Sequence, residues 1–136
     1  MAPFVLIVED RPSHAKLFPE ILRGNGHLSL VALKGREGIA VARRTTPALV
    51  IVDILLPDLD GREVIAELRG NPEIERMPIL AISAVTDRAM ERDCLAAGAD
   101  LFLAKPIRVD HFSTVVAELL APATRSGRKQ VGERRR

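Results

Sequence analysis

Apolar runs of strand length alternate with segments of helical period along the chain. Five runs of mostly apolar residues have the length of a strand. The first, FVLIV, is apolar throughout, which is typical of a strand buried on both faces. The runs predict strands at residues 4–8, 28–33, 49–53, 79–82 and 101–104.

Each predicted strand is followed by a segment whose apolar residues recur at helical spacing. These segments predict helices at residues 13–25, 36–45, 61–70, 87–97 and 109–120. Ser13 and Asp87 are suitable N-caps for the first and fourth helices. Pro19 lies inside the first helix, which allows a kink or a later start there.

Such alternation predicts an α/β fold with a doubly wound, five-stranded parallel sheet, or (βα)5, covered by helices on both faces. Residues 1–120 are predicted to form one domain, because no linker interrupts the alternation. In open sheets of this kind the working site lies at the carboxyl ends of the strands.

Composition limits the classes that the chain can belong to. It has 136 residues, of which 47% are hydrophobic and 28% are charged, as in ordinary globular domains. No apolar stretch is long enough to span a bilayer, and no basic segment of a signal peptide is visible. The single Cys94 can form no intrachain disulfide, so we expect a cytoplasmic protein.

The positive charge is concentrated at the C-terminus. Residues 121–136 contain six basic side chains and one acid, a net charge of +5. Since the whole chain carries +2, residues 1–120 carry −3. The tail is predicted to be disordered and solubilising, although contact with nucleic acid or an acidic partner is the alternative.

Polar side chains follow four of the predicted strands. Glu9 and Asp10 follow the first strand, and Asp53, Ser83 and Lys105 stand at the ends of the third, fourth and fifth. These positions converge at one edge of a parallel sheet. Clustered carboxylates repel each other and attract a hard cation such as Mg²⁺, while the lysine and serine suit a phosphoryl group. A carboxylate can itself accept that group as an aspartyl phosphate.

These motifs resemble the receiver domain of two-component response regulators. The acidic pair, Asp53 followed by LPDLDG, and the segments AISA and AKPI occur in the family's order, and the resemblance covers residues 3–120. VEDRPSHAKLF and LAKPIRVDHF resemble stand-alone receivers of the CheY and DivK kind. The resemblance implies a flavodoxin-like, CheY-like fold and a signalling role, with no enzymatic activity beyond phosphoryl transfer to itself and slow loss of that group.

The resemblance also implies residue roles. Asp53 would accept a phosphoryl group from a phosphohistidine. Asp10, Asp53, the backbone carbonyl of Leu55 and Glu9, directly or through water, would hold Mg²⁺. Lys105 would pair with the phosphoryl oxygens. Ser83 and Phe102 would act as switch residues, and the peptide bond before Pro106 would be cis.

The partners implied by the resemblance are proteins. A histidine kinase or a histidine phosphotransfer protein would supply the phosphoryl group. A downstream target would bind the face formed by the fourth helix, the fifth strand and the fifth helix. No DNA-binding domain is expected after Leu120, and no membrane contact is expected.

The chain departs from the family pattern at three positions. Arg11 stands where the family often has Asp or Asn. Leu55 and Val85, two residues after Asp53 and Ser83, occupy positions that tune hydrolysis in the family. Because neither side chain can orient a water, the sequence predicts a long-lived phosphoryl group.

The other chemically capable residues are assigned structural roles. His14, His27 and His111 lack partners at metal or triad spacing and are predicted to be surface or structural residues. Cys94 is predicted to be a core residue of its helix. Asp58 and Asp60 are predicted to form the turn before the helix at Gly61.

Three other functions remain alternatives. A phosphatase with an Asp nucleophile needs a second acid two residues later, where Leu55 stands. A nucleotide or flavin binder needs a glycine-rich loop after the first strand, which is absent. A receiver-like docking module that is never phosphorylated would not need the set of Asp10, Asp53, Ser83 and Lys105.

Overall fold

The structure, a computed structural model, describes residues 3–74, 76–85 and 87–121. Strands and helices alternate along these residues, as the sequence predicts. The strands are β1 (Phe4–Val8), β2 (Leu28–Ala32), β3 (Leu49–Asp53), β4 (Ile79–Ser83) and β5 (Leu101–Ala104). The helices are α1 (Pro12–Gly24), α2 (Gly35–Thr45), α3 (Gly61–Arg69), α4 (Arg88–Ala97) and α5 (Val109–Leu120).

The strands form one parallel sheet in the order β2-β1-β3-β4-β5. The chain leaves β1 toward β2 and then returns to add β3 on the other side of β1. Connections therefore leave the carboxyl ends of β1 and β3 in opposite directions, which opens a crevice between these two ends. The predicted doubly wound α/β fold is confirmed.

Two apolar clusters cover the two faces of the sheet. Successive residues of β1 alternate between them, because side chains of a strand point to opposite faces. Phe4, Leu6 and Val8 join residues of α2, α3 and α4 in one cluster. Val5 and Ile7 join residues of α1 and α5 in the other. Burial on both faces explains why the first strand is apolar throughout.

The first helix begins earlier than the sequence predicts. Arg11 is its N-cap residue, with no side-chain cap hydrogen bond, and Pro12 is the first helical residue. The prediction of Ser13 as N-cap is wrong, because proline at this position already has a helical φ and lacks an N–H that would need a partner. The helix then continues through Pro19 to Gly24, so the later start is not found.

Carboxylates cap three of the other helices. Asp87 accepts a hydrogen bond from the Met90 N–H at the start of α4, as predicted, and Asp60 caps α3. Asp58 lies in the loop before α3, as predicted, and also binds the start of a second helix. Its two oxygens accept hydrogen bonds from the N–H groups of Gly35 and Arg36, at 2.8 and 3.0 Å. Asp58 therefore caps α2 from a different loop.

Three further predictions concern the rest of the chain. Cys94 is buried in α4, as predicted, and burial raises the pKa of its thiol to about 11. Among the helices of the described residues, none is long and apolar enough to cross a membrane. The predicted basic tail lies, from residue 122 onward, outside the described residues.

Candidate functional site

Three carboxylates meet at the crevice between β1 and β3. Glu9 and Asp10 follow the last residue of β1, and Asp53 is the last residue of β3. Because these strands are neighbours and parallel, their carboxyl ends lie side by side. One oxygen from each carboxylate lies within 4.8 Å of the other two, with Glu9 and Asp53 buried and Asp10 exposed.

Lys105 completes this group of charges. It follows β5, and its side chain reaches across the sheet so that only 9% of it is exposed. The Nζ atom lies 2.7 Å from Asp53 Oδ2 and 3.4 Å from Glu9 Oε1. The Lys105–Pro106 peptide bond is cis, as expected. The structure thus brings together four of the predicted site residues.

The site holds more negative than positive charge, since three carboxylates face one ammonium group. The pKa of Glu9 shows the consequence: it is raised to about 7, first by burial and then by a hydrogen bond with Asp53. The Arg11 N–H and the charge of Lys105 act in the opposite direction but do not outweigh these causes. Such a site is stabilised by a further cation.

The loop after β3 fixes the Asp53 carboxylate. Asp53 Oδ1 accepts a hydrogen bond from the Leu55 N–H at 3.0 Å, and the Gly61 N–H donates to the Ile54 carbonyl at 2.8 Å. A Cβ atom on Gly61 would lie only 2.5 Å from Ile54 Cα and 2.6 Å from the Asp53 carbonyl oxygen. The close approach of α3 to the end of β3 therefore requires glycine at this position.

Ser83 and Phe102 lie on the two strands beyond β3, on β4 and β5. Ser83 is fully buried at the end of β4, and its Oγ accepts a hydrogen bond from the Val85 N–H at 3.0 Å. Phe102 is half-buried in β5, packs on the core and lines a groove that also includes Glu91 of α4 and His111 of α5. The groove lies on the face that the sequence predicts for a downstream partner.

The donor set fits a magnesium ion. Carboxylate oxygens are the ligands that Mg²⁺ prefers, and it uses few of them together with water. Glu9, Asp10 and Asp53 supply such oxygens within one small volume. The Leu55 carbonyl belongs to the loop fixed on Asp53, and its role as a ligand stays a prediction.

His14 is a residue near the site that the sequence analysis missed. It lies in the first turn of α1, and its Nδ1 atom is 3.6 Å from Glu9 Oε1. Burial, followed by the charges of Lys105 and Arg11, lowers the pKa of the imidazole. Its position in the sequence indicates this proximity, because a residue in the first helical turn after the acidic pair stays close to the end of β1.

The sequence matches the response regulator receiver domain family over residues 5–117. The chain belongs to this family. It is 30% identical over 123 residues to the polar-differentiation response regulator DivK of Brucella ovis and to that of Brucella abortus, covering 90% of this chain and 100% of each relative.

Solved structures of receiver domains share its fold. The receiver domain of the sensor histidine kinase PA1611 from Pseudomonas aeruginosa PAO1, with a magnesium ion coordinated in its active-site cleft, is 27% identical with a TM-score of 0.81. This comparison covers 88% of this chain and 98% of the other. Vibrio cholerae chemotaxis protein CheY4 is 25% identical with a TM-score of 0.82, covering 88% and 100% of the two chains.

Membership of the receiver family defines the general function. Receiver domains are signalling components of two-component systems and not classical enzymes, and they interact with kinases and downstream targets. Phosphorylation on an aspartate is typical of the family. The response regulator function indicated by the sequence is therefore confirmed.

Proposed function

We propose that Asp53 of this receiver domain accepts a phosphoryl group from a phosphohistidine on a histidine kinase or histidine phosphotransfer protein. The observation that supports this role is the ion pair between the buried Asp53 carboxylate and Lys105, with two further carboxylates beside it. A carboxylate fixed at the opening of a crevice can reach a donor protein that docks there.

The transfer needs one bond to form and one to break. A carboxylate oxygen of Asp53 attacks the phosphorus atom, an O–P bond forms, and the P–N bond to the partner's imidazole breaks. The electron pair of the broken bond stays on the imidazole nitrogen of the partner. Lys105 Nζ, which contacts Asp53 Oδ2, is in reach of a phosphoryl oxygen attached there and neutralises its charge.

The residues that would hold a magnesium ion are Asp10, Asp53, the backbone carbonyl of Leu55, and Glu9, directly or through water. A bound Mg²⁺ would supply positive charge to the phosphoryl oxygens during transfer. Among the described residues, Glu9 contacts the Lys105 ammonium group at 3.4 Å, and an oxygen of Asp10 lies within 4.8 Å of oxygens of Glu9 and Asp53.

The output face in this proposal is the groove between α4, β5 and α5. Ser83, at the end of β4, turns its hydroxyl from the Val85 N–H toward the phosphoryl group, and Phe102 turns inward from the groove. Glu91 and His111 line the groove on either side of Phe102, so a change at this ring alters the surface that a target protein contacts.

The phosphoryl group then leaves slowly, because the side chains of Leu55 and Val85 are apolar and cannot orient an attacking water. The reaction is confined to the protein's own side chain, so we propose no turnover of an external substrate. Since phosphohistidine donors are charged by ATP, the proposal places the protein in the cytoplasm.

Intact-mass spectrometry tests the proposal most simply. The protein is incubated with acetyl phosphate and MgCl₂ beside Asp53→Asn and beside Asp110→Asn, a control at an exposed carboxylate of α5. The parent and the control should gain one phosphoryl group, Asp53→Asn none, and EDTA should abolish the gain. Equal gain by Asp53→Asn would contradict the role of Asp53, and no gain by the parent would favour a docking module that works without phosphorylation.

A further inference from the structure

His14 carries a buried polar atom that points at the acidic site. Its side chain is 17% exposed, and its Nδ1 atom has no hydrogen-bond partner among the residues that the structure describes. The nearest charged atom is Glu9 Oε1 at 3.6 Å. This separation is somewhat longer than a hydrogen bond of about 2.7–3.2 Å. A buried nitrogen without a partner is costly, so this atom needs an explanation.

Stacked aromatic rings hold the imidazole in place. The His14 and Phe18 rings are nearly parallel, with centroids 5.2 Å apart and an interplanar angle of 8°. Phe18 stacks in turn on Phe112 of α5 at 5.0 Å, and both phenylalanines are fully buried. The column leaves the His14 ring little freedom to turn away from Glu9.

The Glu9 oxygen that faces His14 is weakly held. Glu9 Oε2 accepts a hydrogen bond from the Arg11 N–H at 3.0 Å. Oε1 contacts Lys105 Nζ at 3.4 Å and His14 Nδ1 at 3.6 Å, both longer than that bond. Lys105 is also bound more closely to Asp53, at 2.7 Å. A small movement of the Glu9 side chain toward His14 would give this oxygen a second directed hydrogen bond.

Imidazole suits this role chemically. A neutral imidazole protonated on Nδ1 donates a hydrogen bond to a carboxylate and adds no charge that would repel a bound cation. Groups that orient the ligands of a metal ion in this way affect its affinity although they do not touch it.

We propose that His14 is a positioning residue: its Nδ1–H donates a hydrogen bond to Glu9 Oε1 and holds that carboxylate in the orientation that binds a divalent cation. The inference rests on the proposed function, because it assumes that the acidic site binds Mg²⁺. It adds a group from α1 to the residues that prepare the site for phosphoryl transfer.

Isothermal titration with MgCl₂ on three variants of the full chain tests the inference. His14→Asn keeps an N–H donor at a similar distance from the backbone, whereas His14→Leu has nearly the same shape and no donor. His27→Leu is the control, since His27 precedes β2 at the amino end of the sheet, opposite the acidic site. We expect His14→Leu to raise the Kd for Mg²⁺ about tenfold or more. His14→Asn should stay within about threefold of the parent, as should the control.

The outcomes separate this inference from the proposed function. A parent that binds no Mg²⁺ contradicts the proposed function as well. If the parent and His14→Leu bind Mg²⁺ with the same affinity, the inference alone is overturned. Unfolding free energies measured in EDTA show whether a loss of Mg²⁺ affinity follows from a loss of stability. If Mg²⁺ binding weakens equally in both His14 variants, in proportion to their loss of stability, the inference is also overturned.

The tautomer of His14 gives a second test that needs no substitution at this position. Nitrogen-15 NMR of the parent, assigned with His27→Asn and His111→Asn, reports which ring nitrogen carries the proton. The inference requires the proton on Nδ1 in the presence of MgCl₂. A proton on Nε2 with a bare Nδ1 overturns it, since that nitrogen would then have no hydrogen to donate.

Discussion

At the scale of single residues, Glu9 connects acidity to metal binding. Burial and the neighbouring Asp53 raise its pKa to about 7 in the site without metal. Its proton must leave before the carboxylate binds a cation strongly. Magnesium affinity should therefore rise about tenfold between about pH 6 and pH 8, as Glu9 passes from mostly protonated to mostly ionised. Titration calorimetry at the two pH values measures this change.

Glu9→Gln is the control for that prediction, because glutamine does not titrate and should flatten the pH dependence. An equally steep dependence in Glu9→Gln would show that another group is responsible.

The raised pKa of Glu9 also affects the stability of the protein without metal. A carboxyl whose folded pKa lies above its ordinary value stabilises the fold most below that ordinary value, and the contribution is lost as the pH rises through about 7.

We expect Leu55 and Val85 to determine how long the phosphoryl group lasts. Their side chains are 60% and 38% exposed at the mouth of the site, so a polar replacement there can reach a water molecule. Leu55→Asn combined with Val85→Glu should speed loss of the phosphoryl group by about tenfold or more. Intact-mass spectrometry after removal of the donor follows the decay.

Leu28→Asn is a matched control for this experiment, because Leu28 is equally exposed and lies on the edge strand β2. It should leave the decay rate unchanged. A double variant that decays at the rate of the parent would contradict the role assigned to the two apolar positions.

At the scale of elements, the connection from β3 to α3 leaves no room for a side chain at Gly61. A methyl group on Gly61 would collide with the backbone of Ile54 and Asp53. Gly61→Ala should therefore lower the free energy of unfolding by about 2 kcal/mol and slow phosphorylation of Asp53. Urea unfolding and the acetyl phosphate assay measure the two effects.

Gly24→Ala is the control for that substitution, since a Cβ atom on Gly24 meets nothing within 4 Å. It lies at the end of α1 and should leave stability unchanged or slightly higher. A Gly61→Ala variant as stable as Gly24→Ala would mean that the loop after β3 relaxes without difficulty.

Asp58 joins two elements by capping α2 from the loop after β3. The hydrogen bonds from Arg36 and Gly35 lower the pKa of its carboxyl, so its contribution to stability is present above the ordinary carboxyl pKa and lost as the pH falls through the folded value. Asp58→Ala should shift the urea midpoint downward at neutral pH and by less in acid. Glu73→Ala, at an exposed loop carboxylate, should not shift it.

The sequence predicts the elements well because its periods of apolar residues are clear. Their ends are less predictable, as α1 shows: Ser13 is a good cap by type, but Pro12 and Arg11 begin the helix. Asp58 shows a second limit. Its place in the turn before α3 is visible in the sequence, whereas its bonds to α2 depend on how two loops meet in the folded chain.

At the scale of the whole molecule, the parallel sheet explains why much of the site is predictable. Asp53 and Lys105 are distant in sequence, but the ends of parallel strands meet at one edge, so polar residues at those ends come together. His14 lies on a helix, and its ring stacks on Phe18, which stacks in turn on Phe112. The convergence of strand ends at one edge of the sheet does not predict the contact of His14 with Glu9, because His14 lies on a helix.

Phosphorylation of this receiver domain depends, in the proposed function, on the carboxylate of Asp53. An acyl phosphate on aspartate is reduced by borohydride to homoserine, so peptide mapping after phosphorylation and reduction shows which residue carried it. If Asp53 is the acceptor, homoserine appears at position 53 and the residues at positions 9 and 10 are unchanged. Homoserine at position 10, or the corresponding reduced residue at position 9, with Asp53 intact would contradict the role of Asp53.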